Sequence, residues 1–167
     1  MPENRSDRKN KTLVLGLGNE VLGDEGLGLI LVNKFAERKL FPETDYKCAF
    51  VGGLNLLDYI TGYDSLFIID TACGDKGNEG TVRFYNRNNF RETLHISSQH
   101  DAPFLTSLEA GERLGFKIPG QIFLIAVEIY CNLNLTEKLS DNINGHFDKI
   151  QSEIINFIKN CVSSDPE

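Results

Sequence analysis

From Thr12 the chain alternates short apolar runs with amphipathic stretches. Thr12–Leu17 (TLVLGL) is apolar and ends among glycines, which predicts a buried strand. Gly26–Lys39 places Leu29, Ile30, Val32 and Phe35 on one helical face before Pro42 stops the pattern. Tyr46–Val51 predicts a second strand and Leu54–Ile60 a short helix. Leu66–Asp70 (LFIID) is the strongest strand signal, apolar throughout and closed by an acid. Thr81–Tyr85 predicts a fourth strand. After it comes a polar stretch, then a helix capped by Asp101, with Pro103 in its first turn, running to about Leu114. Gln121–Val127 predicts a fifth strand. In the last helix Ile143, Phe147, Ile150, Ile154, Phe157 or Ile158, and Cys161 recur at spacings of three and four, with Ser140 at the cap position.

Strands alternating with helices imply parallel pairing through helical crossovers, and near-continuous apolar strands imply a sheet covered on both faces. The fold class expected is therefore α/β: a single-domain three-layer sandwich with a mostly parallel, about five-stranded sheet. Residues 12–162 form the domain, 1–11 a flexible N-terminal tail and 163–167 a C-terminal tail. In such sheets ligands collect at the carboxyl ends of the strands.

Composition narrows the function. The 167 residues carry 17 basic and 24 acidic side chains, a net charge of -7, which disfavours a general phosphate-backbone binder. A hydrophobic share of 41% supports a real core. The longest apolar runs are too short to cross a bilayer, and the polar start has no apolar h-region of a secretory signal. A cytoplasmic protein with no nucleic-acid partner and no membrane insertion is expected. Cys48, Cys73, Cys131 and Cys161 form no CxxC pair, so free thiols are expected, with Cys73 read as a buried or loop thiol.

The loop from Gly16 to Gly26 (GLGNEVLGDEG) stands where nucleotide loops stand, yet it fits neither nucleotide template. Val21 occupies the third glycine position of the dinucleotide fingerprint. Gly18 and Gly23 have Walker spacing, but Asp24 and Glu25 replace the lysine and hydroxyl, and two carboxylates repel phosphate. No GxSxG elbow and no HExxH occur. The loop instead brings an acid pair to the carboxyl edge of the sheet. Taken singly, Asp24 and Glu25 can simply complement a helix dipole, Asp70 can cap a turn, and His100 can be structural. Taken together, a His and two carboxylates from three successive βα connections make a divalent-metal site with open positions. If strands one and three are neighbours, as in flavodoxin-like order, Glu25 and Asp70 flank the switch point. His95, in a loop, and His146, on the flank of the last helix, are the weaker histidine candidates.

LVLGLGNEVLGDEGLG, then VGG before a short helix, then LFIIDTA, then SSQH before a helix beginning DAPFL, resembles the hydrogenase maturation protease family from about Thr12 to the end of the last helix. The resemblance implies an endopeptidase that removes the C-terminal extension of a nickel–iron hydrogenase large-subunit precursor. The family's metal-binding residues fall on Glu25, Asp70 and His100, which would be the catalytic set as well. The nickel would be carried by the precursor, with no organic cofactor, and the chain is expected to be a monomer. Asn19, Gly52 and Gly53 are the positions the resemblance offers for binding the substrate peptide. Two departures stand out: Val51 precedes the two glycines where an Asp is frequent, and Thr71 follows Asp70 where alanine is common. The competing readings are a non-catalytic nickel carrier or sensor using the same three ligands, a nucleotide- or flavin-binding module, and a related protease with another substrate.

Overall fold

The computed structural model describes residues 10–96, 103–132 and 135–163. Five strands form one sheet: β1 (Thr12–Leu17), β2 (Thr44–Ala49), β3 (Ser65–Cys73), β4 (Val82–Asn86) and β5 (Gln121–Ile129), in the order β2-β1-β3-β5-β4. Four pairings define it. β1 runs parallel to β2 and β3, β3 runs parallel to β5, and β4 closes one edge antiparallel to β5. The expected neighbourhood of strands one and three is present, with Gly16 opposite Ile69.

Alternation along the strands sorts side chains into two cores. Leu13, Leu15, Leu17, Leu66, Ile68, Ile122 and Leu124 pack on one face under α2 (Leu57–Ile60) and α3 (Phe104–Arg113). Val14, Phe67, Ile69, Ile125 and Val127 face the other way, under α1 (Leu27–Glu37) and α4 (Asp141–Ser163). Each fully buried Leu, Ile or Phe contributes roughly 1.5–3 kcal/mol of transfer free energy, so both layers are anchored by burial.

Helix α1 sits very close to the sheet, and glycine permits it. A Cβ on Gly16 would lie 2.5 Å from the Gly28 carbonyl oxygen, and one on Gly28 would overlap the carbonyl oxygens of Leu17 and Ile69. The loop leading into α1 is thereby held down on the carboxyl ends of β1 and β3.

Several boundaries differ from the sequence reading, each for a tertiary reason. β2 begins and ends two residues earlier than Tyr46–Val51, because pairing with β1 sets its ends at Thr44 and Ala49. α1 starts at Leu27, since Gly23–Gly26 winds as a 3₁₀ turn. β3 does not stop at Asp70: pairing with β5 carries it on to Cys73, so Asp70 is interior to a strand and fully buried. The cap expected from Asp101 lies outside the described residues; Pro103 stands at the N-cap of α3 without a side-chain capping bond. Ser140 does cap α4, its Oγ accepting the amide of Ile143 at 3.3 Å.

The cysteines require a correction. Cys73 and Cys131 form a disulfide across a Cα separation of 5.3 Å, while Cys48 and Cys161 remain free. The bond is a consequence of register: Cys73 stands opposite Ile129, and Cys131 follows two residues later. Fifty-eight residues of sequence separate the partners, so no local pattern announces them. Closing a loop of that length restricts the unfolded chain, and reduction is expected to lower stability by about 2–4 kcal/mol. Urea unfolding with and without reductant checks this, alongside the Cys73→Ser/Cys131→Ser double variant. Identical midpoints in all three samples, with four titratable thiols in the untreated protein, would refute the link.

Candidate active site

The site stands where the loop after β1 and the later half of β3 meet the segment between β4 and α3. Asp70 is its centre. Its side chain points to the same face as Leu66 and Ile68, and the carboxylate is saturated by donors. Oδ1 accepts the Thr71 amide at 2.8 Å and contacts His95 Nδ1 at 2.8 Å. Oδ2 accepts the Thr93 hydroxyl at 2.6 Å and the amides of His95 and Ile96 at 2.9 and 3.1 Å. The buried charge is thus offset by hydrogen bonds, and in return it folds residues 93–96 around itself. Thr71, the departure noted above, turns to the opposite face; its hydroxyl is buried and has no hydrogen-bond partner among the described residues.

His95 is held between two acids. With Nδ1 against Asp70, Nε2 points to Glu25 Oε2 at 3.4 Å. Burial works against charging the ring, but the bond to Asp70 and the fields of Asp70 and Glu25 outweigh it, raising the pKa above its ordinary value. The exposed Phe50 ring lies 6.2 Å from the imidazole, at the mouth.

Glu25 is positioned by the glycine–asparagine loop. It lies in the 3₁₀ turn, where its carbonyl accepts the Asn19 amide at 3.2 Å. A Cβ on Gly18 would lie 2.5 Å from that same oxygen, so the close return of the loop requires glycine. Asn19 Oδ1 accepts the Val21 amide, tightening the bend. The two acids of the loop part company: Asp24 Oδ1 accepts the Ser140 amide at 2.7 Å and ties the loop to the start of α4, while Glu25 turns to the histidine.

Of the sequence candidates, Glu25 and Asp70 are therefore brought together, and His100 lies outside the described residues. His146 is remote in role, an exposed residue of α4 bonded to Asn142 O. His95, ranked below His100 by the sequence, is the described histidine at the acids. The available signal was its setting between Leu94 and Ile96, two apolar residues that pack into opposite cores and anchor the ring between them. Gly52 and Gly53 line up behind the site. Gly53 has φ +55 and donates its amide to Ile96 O at 3.0 Å, so it braces the histidine segment.

Among the described residues, no group of three His, Cys, Asp or Glu side chains surrounds a common point suited to a metal. The arrangement is instead a carboxylate–imidazole–carboxylate relay: Asp70 fixes the ring, and Glu25 with Nε2 faces outward. Such a relay can take up and return a proton, and its outer members can meet a cation that arrives with a substrate. Beside it, a groove of about 630 Å³ runs toward β4.

Residues 31–157 match the family described as HycI, hydrogenase maturation protease. Among solved structures, the hydrogenase maturating endopeptidase HybD from Escherichia coli is 20% identical. The match covers 90% of this chain and 93% of that one, with a TM-score of 0.67. The hydrogenase maturation proteases HybD and HycI from Thermococcus kodakarensis are 22% and 20% identical. They cover 88% and 92% of this chain and 98% and 95% of their own, with TM-scores of 0.58 and 0.62. At such identities these structures establish the shared fold. Comparison with curated protein sequences finds no match.

Proposed function

Since the chain belongs to the hydrogenase maturation protease family, we propose that it removes the C-terminal extension of a nickel–iron hydrogenase large-subunit precursor, and that it acts on the nickel-loaded form. The nickel belongs to the substrate. Glu25, Asp70 and a histidine make up the acid/acid/His set: His95 by its position in the structure, His100 by the order of motifs in the sequence. The observation that carries this reading is the placement of His95 between Asp70 Oδ1 and Glu25 Oε2 at the carboxyl edge of the sheet.

The roles divide by burial. Asp70 is fully buried and fully hydrogen-bonded, so it orients the imidazole and holds the proton on Nδ1. Glu25 and His95 Nε2 face the mouth, where they recognise the arriving cation. Bound nickel supplies Lewis acidity toward the scissile carbonyl. Glu25 takes the proton of the attacking water and returns it to the departing amine, while His95, its proton held on Nδ1, keeps the Nε2 lone pair for the cation.

The test is cleavage of the precursor, prepared nickel-loaded and nickel-free, read by intact mass. Loss of a C-terminal peptide from the loaded form alone is the expected result. No cleavage of either form, together with tight nickel binding by the isolated chain, would overturn the protease reading in favour of a carrier.

A further inference from the structure

The groove beside the site is built from the same sheet face as Asp70. Ala72 follows Asp70 by two residues on β3 and therefore faces the same side, and Ala126 stands directly opposite Asp70 on β5. Every other position on this face nearer the strand starts is large: Leu66, Ile68, Ile122 and Leu124 fill the core beneath α2 and α3. At Ala72 the filling stops and the groove opens above it, with the buried methyl of Ala126 at its base. Its walls are Arg83 and Tyr85 of β4 on one side and Arg91 to Thr93 on the other.

Two features connect this space to the chemistry. Thr93 belongs to both, lining the groove while its hydroxyl is bonded to Asp70 Oδ2 at 2.6 Å. The rim is also charged in an uneven way. Arg83 is engaged by Glu128, and Arg87, just beyond, by Glu112 at 2.8 Å. Arg91 has no hydrogen-bond or ion-pair partner among the described residues, although its guanidinium carries five donors over the groove.

We propose that this groove is the subsite for the precursor chain next to its scissile bond, with Ala72 setting the size of the side chain accepted and Arg91 donating to main-chain carbonyl oxygens of the bound segment. The inference rests on the protease reading above and adds the part of the substrate that this chain selects. The occupant is an extended peptide rather than a small molecule. The rim is polar, with Arg83, Arg91 and Glu92 along it, and the groove reaches Thr93, whose hydroxyl is bonded to the carboxylate that orients the histidine. A bulky residue on its floor would exclude one substrate side chain, and loss of Arg91 would loosen the main chain above it.

The experiment measures cleavage of nickel-loaded precursor by the unmodified protein, Ala72→Phe and Arg91→Ala, each checked for an unchanged unfolding midpoint. KM is expected to rise roughly tenfold or more in Ala72→Phe, which blocks the floor. It should rise by a smaller factor in Arg91→Ala, whose exposed side chain is no part of the core. Replacing the four precursor residues on either side of the cleaved bond by glycine, one at a time, should identify a position where glycine restores cleavage by Ala72→Phe. Restoration at one position and not at the others is a signature that simple destabilisation does not produce. If both variants cleave with the KM of the unmodified protein, the groove assignment is wrong while the protease reading stands. If Ala72→Phe is impaired but no glycine position rescues it, the size-selection role is wrong. If the unmodified protein cleaves nothing, it is the protease reading that fails.

Discussion

Asp70→Asn is expected to destabilise the protein by about 3 kcal/mol or more and to abolish processing. Asparagine keeps the volume but replaces one carboxylate oxygen with an amide that donates. Every atom facing Asp70 is also a donor: the Thr71, His95 and Ile96 amides, the Thr93 hydroxyl and His95 Nδ1. One oxygen of asparagine can serve one side, and the other side then meets N–H against N–H inside a site closed to water. The segment from Thr93 to Ile96 loses its anchor, and with it go the orientation of His95 and the brace on Gly53. Urea unfolding and the precursor assay read both effects. A variant that unfolds at the midpoint of the unmodified protein would show that the carboxylate does not organise this loop.

The second large effect separates chemistry from folding. Glu25→Gln and His95→Ala should each reduce processing by at least about a hundredfold, the usual scale for a positioned acid or base, with the unfolding midpoint changed little in Glu25→Gln and lowered in His95→Ala, which empties a buried position against Asp70. Glu25 is partly exposed and makes its side-chain contact only with His95 Nε2 among the described residues, so glutamine can replace it without leaving a buried donor stranded. His100→Ala belongs in the same series. Loss of activity in His95→Ala with retention in His100→Ala assigns the histidine role to His95, and the reverse result assigns it to His100. Full processing by Glu25→Gln would remove the acid pair from the mechanism.

The sequence was most informative where local pattern and burial coincide. The strand–helix alternation, the apolar β1 and β3 and the amphipathic α4 follow from side-chain periodicity, which depends only on neighbours along the chain. The glycine–asparagine loop was legible because glycine and a carboxylate pair in that setting repel phosphate by charge sign. Asp70 was legible because an acid in an apolar strand is costly to bury and so signals a role.

Tertiary contacts settled the remainder. The length of β3 depends on pairing with β5, so Asp70 became a buried interior residue instead of a strand end. Asp24 and Glu25 are chemically similar neighbours, and only the approach of Ser140 and His95 gives one to α4 and the other to the site. The Cys73–Cys131 bond arises from a register between strands, and the groove from two alanines on strands joined by more than fifty residues. His95 was ranked low because nothing in its immediate sequence marks a ligand; a carboxylate twenty-five residues earlier gathers its backbone and ring together. Periodicity and charge sign act between neighbours and can be read in one dimension. Register, hydrogen-bond saturation and empty space exist only once distant segments share a surface, and these set Glu25 and His95 beside Asp70 and gave Asp24 to α4.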